Sequence, residues 1–393
     1  MSLTAPVVPA FGERLARAWA AVPWPALSLA VCAAWVLVLA AMALARPGYS
    51  YDLVAYLGAM HWANGADPFE AWRTARSAIP APDFEPLATG DAYRQVQSSN
   101  PAAFGSITPL YAVKIGYVWL LQALTALGEP VRGATVLSTL GATAVAAASA
   151  RWLVAAGRGP ALPVALAALF AMDWFGLARH ASPDAIAAGF IAWALYLWWR
   201  GSVAWCAALL WAAFLFRPDT IVCAAALFVA GSVLRLGWKT MAVTTVAMLV
   251  ASILIKGWAG HPGWWVHFHF STVALQPTLS GFAPPVSVQD LGVGYARGAW
   301  MSLTDFAWPS VVLATAALGI WLQRISPLPP RTIALVAAMA MTIAGKFVLF
   351  PLPDDRLYLP FVLTALLALL ARWPAPQSFL GGSGAAMGKP TGT

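Results

Sequence analysis

Residues 26–56 read ALSLAVCAAWVLVLAAMALARPGYSYDLVAY, and their reading decides the fold. The first twenty carry no charged side chain, which is the length of mostly apolar sequence a helix needs to cross the hydrocarbon core of a bilayer. Arg46, Pro47 and Gly48 end the run, and Asp52 follows within a few residues, with Tyr49 and Tyr51 before it and Tyr56 after. The same character extends over the whole chain. Of 393 residues, 61% are apolar and only 10% charged, and the mean hydropathy is +0.72. An ordinary soluble domain is about 45–50% apolar and about 25% charged. A chain so poor in polar groups cannot cover a water-facing surface, which excludes a soluble globular enzyme, and disorder is excluded with it. The 21 tryptophans suit a protein with two membrane–water interfaces. Cys32, Cys206 and Cys223 all lie inside apolar runs and offer neither a disulfide framework nor metal-ligand spacing.

Working outward from the first run, further apolar runs lie near 109–127, 134–156, 161–178, 183–199, 203–216, 220–236, 239–257, 303–323, 332–350 and 357–373. The expectation is an all-α polytopic membrane protein. The run 26–45 is expected to be a retained span rather than a cleaved signal peptide, because its basic flank (Arg14, Arg17) lies well inside the chain.

The connections are of two kinds. One is basic and otherwise bland, as around Arg158, Arg200, Arg235 with Lys239, Arg324 with Arg331, and beyond Arg372. The other is rich in acids, aromatics and prolines: 46–108, 179–184, 217–220, 258–302 and 351–356. Placing the first kind in the cytoplasm puts eleven basic residues and one acid there, against eleven basic residues and 13 acids outside. The positive-inside rule selects this polarity. The net charge of +8 is therefore read as a cytoplasmic excess, and no nucleic-acid partner is expected.

Three runs lie between the outer segments 46–108 and 179–184, where an even number of crossings is required. The run 109–127 carries Lys114 and Gln122 and opens with a Thr-Pro pair, so it is expected to be re-entrant or interfacial. That leaves ten spans, or eleven if it crosses, within one transmembrane domain over 26–373. Residues 1–25 and 374–393 are expected to be cytoplasmic tails, and the location a bacterial inner membrane.

Asp52 is the leading chemical candidate. A carboxyl leaving the membrane beside two tyrosines is expected to be partly desolvated, which suits general-base work. Cations at outer helix ends follow, namely Arg179, Arg217, Lys346 and Arg356, because charge at membrane depth is functional by default. Each has a plainer reading as an ion pair: Arg217 with Asp219, Arg356 with Asp354 or Asp355. Asp184 and Asp219 sit at helix starts, where an acid favours the helix dipole, and Asp67 lies in a turn. The stretch HPGWWVHFHF holds His261, His267 and His269. His267 and His269 are two residues apart with no acid nearer than Asp290, so the reading is an aromatic interfacial segment, and no metal site is expected.

A first span, an Asp one or two turns beyond it, a following Tyr and a long first outer loop together resemble the GT-C superfamily of polytopic glycosyltransferases. Within it, the chain resembles enzymes that take mannose or aminoarabinose from a polyprenyl-phosphate carrier. Ser99-Asn100-Pro101, Thr108-Pro109-Leu110-Tyr111, Ser182-Pro183-Asp184, Phe216-Arg217-Pro218-Asp219-Thr220 and Arg356-Leu357-Tyr358-Leu359-Pro360 resemble the family's shorter motifs. The Asp-Glu or Asp-x-Asp pair that many members carry in the first loop is absent, no cofactor is expected, and no soluble domain is expected after the last span. The resemblance implies an inverting enzyme that moves sugar from a polyprenyl-phosphate carrier to a hydroxyl of a lipid, glycan or protein acceptor. It implies Asp52 as the base and Arg179, Arg217, Lys346 and Arg356 as phosphate-binding cations. Tyr51, Tyr56, His267, His269 and Tyr358 are the expected substrate contacts. A transporter or flippase of lipid-linked intermediates is the alternative. Transporters show internal repeats and charges on both halves, whereas the charges here gather on one face. An acyltransferase needs a His–acid or nucleophile motif that the sequence does not offer.

Overall fold

The computed structural model describes residue 18 and residues 22–128 and 130–373, so the expected tails lie largely outside the described residues. Among those described, the regular structure is helical, with no strand. In chain order the helices begin with α1 (Trp24–Ala45) and α2 (Tyr51–Ala63), followed by the short α3 (Pro68–Ser77), α4 (Ala81–Thr89) and α5 (Ala92–Ser99). Next come α6 (Pro101–Ala112), α7 (Ile115–Ala126), α8 (Pro130–Ala155), α9 (Leu162–Ala171), α10 (Trp174–Arg179), α11 (Pro183–Arg200) and α12 (Val203–Phe216). The chain continues through α13 (Ile221–Leu234), α14 (Trp238–Trp258), α15 (Trp264–Phe268), α16 (Val288–Asp305), α17 (Trp308–Ile325), α18 (Pro330–Leu349) and α19 (Asp355–Leu370).

By length and composition, four helical segments can cross a membrane: Ala26–Ala45, Pro130–Ala155, Trp238–Trp258 and Pro330–Leu349. The number rises to six if each of two bent pairs is one span. Those pairs are α6 with α7, bent by 112°, and α16 with α17, bent by 76°. The first bend falls inside the run singled out as non-spanning, with Lys114 at the break. Two boundaries differ from the sequence reading. The run 161–178 is not one helix: Asp173, at φ 49°, breaks it, and its carboxylate then accepts from the N–H of Gly176 to start α10. The run 303–323 begins at Trp308 instead, because 303–305 ends α16.

Packing follows membrane rules. α8 and α11 approach through glycines: a Cβ on Gly141 would overlap the Ala185 backbone, and one on Gly189 would press on Gly141. Such small residues let helix backbones close together where lipid supplies no hydrophobic drive. α19 is buried without interruption from Tyr358 to Leu370, as an all-round apolar helix should be. α1 and α14 instead expose Leu37, Val38, Ile253 and Leu254. An apolar face of that kind suits contact with lipid.

The two kinds of connection separate in space. At one end Ser28 Oγ donates to the Gly159 carbonyl (3.1 Å), Arg331 donates to the Trp198 carbonyl (3.1 Å), and the Trp321 and Trp373 rings lie 5.5 Å apart. At the other, the Gly48 N–H donates to the Arg179 carbonyl (3.0 Å), and Asp355 accepts from the N–H groups of Ala307 (3.1 Å) and Trp308 (2.7 Å). The acid-rich segments meet at this second end. There the first long loop and the segment after α14 are tied together: Ser106 Oγ accepts from the Leu279 N–H (2.8 Å) and the Thr278 hydroxyl (3.1 Å).

Candidate functional site

Ser50 caps α2 by accepting the Leu53 N–H (3.3 Å), which sets Asp52 in the helix's first turn. The carboxylate opens into a cavity of about 340 Å³. Its side chain is 42% exposed, more open than its place at the membrane boundary suggested. The Tyr111 hydroxyl donates to Asp52 Oδ1 (2.9 Å), and the Arg356 guanidinium lies 3.7 Å from Oδ2. Tyr51, Arg94, Asp173, His180 and Asp354 complete the polar wall. They come from α2, α5, the α9–α10 break, the α10–α11 corner and the start of α19, so the cavity exists only when distant segments meet.

Behind this wall runs a chain of ion pairs. Arg356 bridges Asp52, Asp184 (3.2 Å) and Asp354 (2.7 Å). Arg217 pairs with Asp184 and grips Asp219 with two parallel bonds of 3.1 Å each, the fork geometry that a guanidinium offers a carboxylate. Asp219 pairs in turn with Lys346. Buried charges persist at such depth only when compensated. Three cations here face four carboxylates, so the cations are already neutralised by protein. Asp184, read from sequence as a dipole-favoured helix start, is the hub that joins Arg217 to Arg356. The plainer ion-pair readings of Arg217 with Asp219 and Arg356 with Asp354 describe contacts that do form. Asp67 caps α3 by accepting the Glu70 N–H (2.9 Å), the local backbone role expected of it.

The structure brings Asp52, Tyr51 and Arg356 to the cavity, with Arg217 and Lys346 in the ion chain behind it. The other sequence candidates lie elsewhere. Arg179 donates through Nε to the Arg46 carbonyl (3.0 Å) and ties α10 to the end of α1. Tyr56 is buried between the rings of Tyr111 and Tyr117. Tyr358 stacks on Trp308 at 4.3 Å and donates to the Leu352 carbonyl (2.9 Å). His267 and His269 stand in the segment after α14.

There His261 Nε2 and His267 Nδ1 are 3.2 Å apart, and the His267 ring lies 4.6 Å from Phe350. His269 Nε2 is 3.6 Å from Asp290 Oδ2, so the nearest acid in sequence is also a neighbour in space. Burial pushes the His261 imidazole down to about 4, with Lys256 and then Lys114 adding to the effect. His267 is lowered well below the usual range, by burial first and then by His261, Lys114 and Lys256. Lys114 caps the bend between α6 and α7, with its ammonium 5.0 Å from the centroids of both Tyr56 and Tyr111.

Tyr111, Arg94 and His180 were not singled out from sequence as site residues. His180 lies in the Arg179–Asp184 corner that was flagged; its Nδ1 is buried with no partner, and burial, followed by Arg356, lowers its imidazole below the usual value. Among the described residues, no three His, Cys, Asp or Glu side chains converge as a metal site. No protein-family model, curated protein or solved structure matches the chain.

Proposed function

We propose that this chain is a polytopic transferase of GT-C type, moving sugar from a polyprenyl-phosphate carrier to an acceptor hydroxyl at the outer face of a bacterial inner membrane. One observation carries the reading: Asp52 is a carboxylate at the mouth of a polar cavity, at the acid-rich end of an otherwise apolar bundle, held by a phenol and a guanidinium. A carboxylate so placed is where a hydroxyl acceptor would lose its proton. As the acceptor oxygen bonds to the anomeric carbon, its proton passes to Asp52. The carbon–oxygen bond to the carrier phosphate breaks on the opposite face, and the phosphate leaves with the electron pair. Arg356 and Arg94 on the cavity wall are the cations nearest the developing charge, each also paired with a carboxylate of the chain.

The same reading takes the acid-rich end as extracytoplasmic. Ten helical passages then connect the two ends: α1, α8, the broken α9–α10, α11, α12, α13, α14, α17, α18 and α19. The bent α6–α7 pair stays on the outer side. The buried ion chain also fits a transporter of lipid-linked intermediates, since intramembrane charge pairs often mark a transport path.

The test compares lipid-linked sugars and envelope glycans by mass spectrometry in cells lacking the chain, complemented with wild type or with Asp52→Asn. The transferase reading expects one glycan to vanish, its sugar donor to accumulate, and Asp52→Asn to behave like the empty vector although it is expressed normally. Full complementation by Asp52→Asn removes Asp52 from the mechanism. Unchanged glycan structures with the donor stranded on the cytoplasmic side favour the transporter.

A further inference from the structure

The helices α1 and α8 pack on each other, and at the basic end of the bundle Ser28 Oγ on α1 donates to the Gly159 carbonyl just beyond α8. Beside that tie the two helices enclose a groove of about 400 Å³, within the range of about 300–1,000 Å³ typical of small-molecule sites. From α1 come Leu29, Cys32 and Val36, three or four residues apart and so on one helix face. From α8 come Ala146, Ala147, Ala150 and Arg151 in the same way. Cys32, Ala146 and Ala150 form a buried floor, while Leu29, Ala147 and Arg151 stand exposed at the rim. Alanine methyls on α8 leave the groove open, and larger side chains there would close it.

The walls of this groove select its occupant. Besides Arg151, its only polar side chains are the Thr143 hydroxyl and the Cys32 thiol, too few to hold ordered water, which needs about two to four polar partners. Hydrocarbon is the filling that such walls favour. Arg151 lies four residues before the end of α8 at Ala155, roughly 6 Å along the helix axis, a depth from which its side chain reaches the headgroup level. It has no carboxylate oxygen within 4.0 Å among the described residues. Arg158, one connection further on, is by contrast engaged with the Trp373 carbonyl.

We propose that the groove between α1 and α8 holds one acyl chain of an anionic glycerophospholipid, with the lipid phosphate on Arg151. A guanidinium offers phosphate a fixed fork of donors, and basic pockets between spans are where anionic lipid headgroups bind. A zwitterionic lipid fits less well, because its own ammonium competes for the phosphate. The lipid fastens α1, little of which is buried inside the bundle, to α8. The site lies at the opposite end of the bundle from Asp52 and does not depend on the transferase reading.

The experiment is native mass spectrometry of the purified full chain in detergent, with phosphatidylglycerol or phosphatidylethanolamine added. Wild type is expected to retain one phosphatidylglycerol per chain and to favour it over phosphatidylethanolamine by about tenfold, the worth of one charge-assisted bond. Arg151→Gln is expected to lose that preference, and Arg151→Lys to retain it. Ala147→Phe fills the groove from an exposed position, leaves Arg151 in place, and is expected to weaken binding of both lipids. A second readout is the rate at which a small apolar maleimide modifies Cys32 in the groove wall. Phosphatidylglycerol should slow that rate in wild type and much less in Arg151→Gln. An unchanged lipid preference in Arg151→Gln, wild-type lipid retention in Ala147→Phe, or a Cys32 rate indifferent to lipid overturns the site. A dimer that Ala147→Phe dissociates, with no lipid retained by wild type, overturns it in favour of a second copy of the chain seated in the groove.

Discussion

Two charged regions lie at the same end of this bundle and are built on opposite rules. In the ion chain from Asp52 to Lys346, every cation has a carboxylate partner, and those pairs join helices α11, α18 and α19 to the connection between α12 and α13. In the turn after α14, the His261–His267 pair stands among aromatic rings with no carboxylate oxygen within 4.0 Å among the described residues. Charges that satisfy one another hold a scaffold in place. Imidazoles that burial keeps neutral add no such pairs. The difference turns a list of basic residues into two roles that separate under mutation.

The largest stability effect belongs to the ion chain. Arg217→Gln leaves Asp184 to Arg356 alone and Asp219 to Lys346 alone, in surroundings where Asp184 is only 7% exposed. Breaking a buried pair from one side costs about 3–5 kcal/mol. Thermal unfolding in detergent at pH 7.5 should show a sharply lowered transition for Arg217→Gln, while His261→Gln leaves it near wild type. Equal transitions for the two variants would erase the distinction between the two regions.

A smaller effect tests the edge where the scaffold meets the cavity. Tyr111→Phe removes the one phenol that donates to Asp52 and keeps the ring that packs beside Lys114. Asp52 keeps Arg356 and is partly exposed, so stability should change by about 1.5 kcal/mol, the low end for a hydrogen bond to a charged group. Transfer should fall by about tenfold through kcat, because the carboxylate is no longer held in one orientation. A change confined to KM would instead place Tyr111 among the binding contacts.

How far all this was legible in the sequence depends on the length scale of the signal. The helical class and the segregation of acidic from basic connections follow from composition and from runs of about twenty residues, which are local properties. Asp52 was legible because it stands alone just past a span. The ion chain was legible only in fragments. Arg217 with Asp219 is a near-neighbour pair, but the link through Asp184 joins residues 33 positions apart, and Lys346 reaches Asp219 across 127. No periodicity encodes such contacts. The break at Asp173 was half legible: the acid stands out inside its apolar run, but the left-handed backbone that ends the helix there leaves no mark in the sequence. Tyr56 and Tyr358 show the converse: tyrosines near a site by number were placed by packing, one among aromatic rings and one on Trp308.

The smallest effect concerns protons. His261 is lowered from 6.5 to about 4 in the folded protein, so the unfolded chain binds a proton there first as pH falls. Stability from this residue is therefore complete above about pH 6.5 and is lost as pH drops toward 4, and the neighbouring His267 acts in the same direction. Unfolding temperatures of the wild type should decline across that window, and His261→Gln should flatten the decline without moving the plateau above it by much. An acid limb indifferent to His261→Gln would mean that groups outside the histidine pair set the acid sensitivity of the fold.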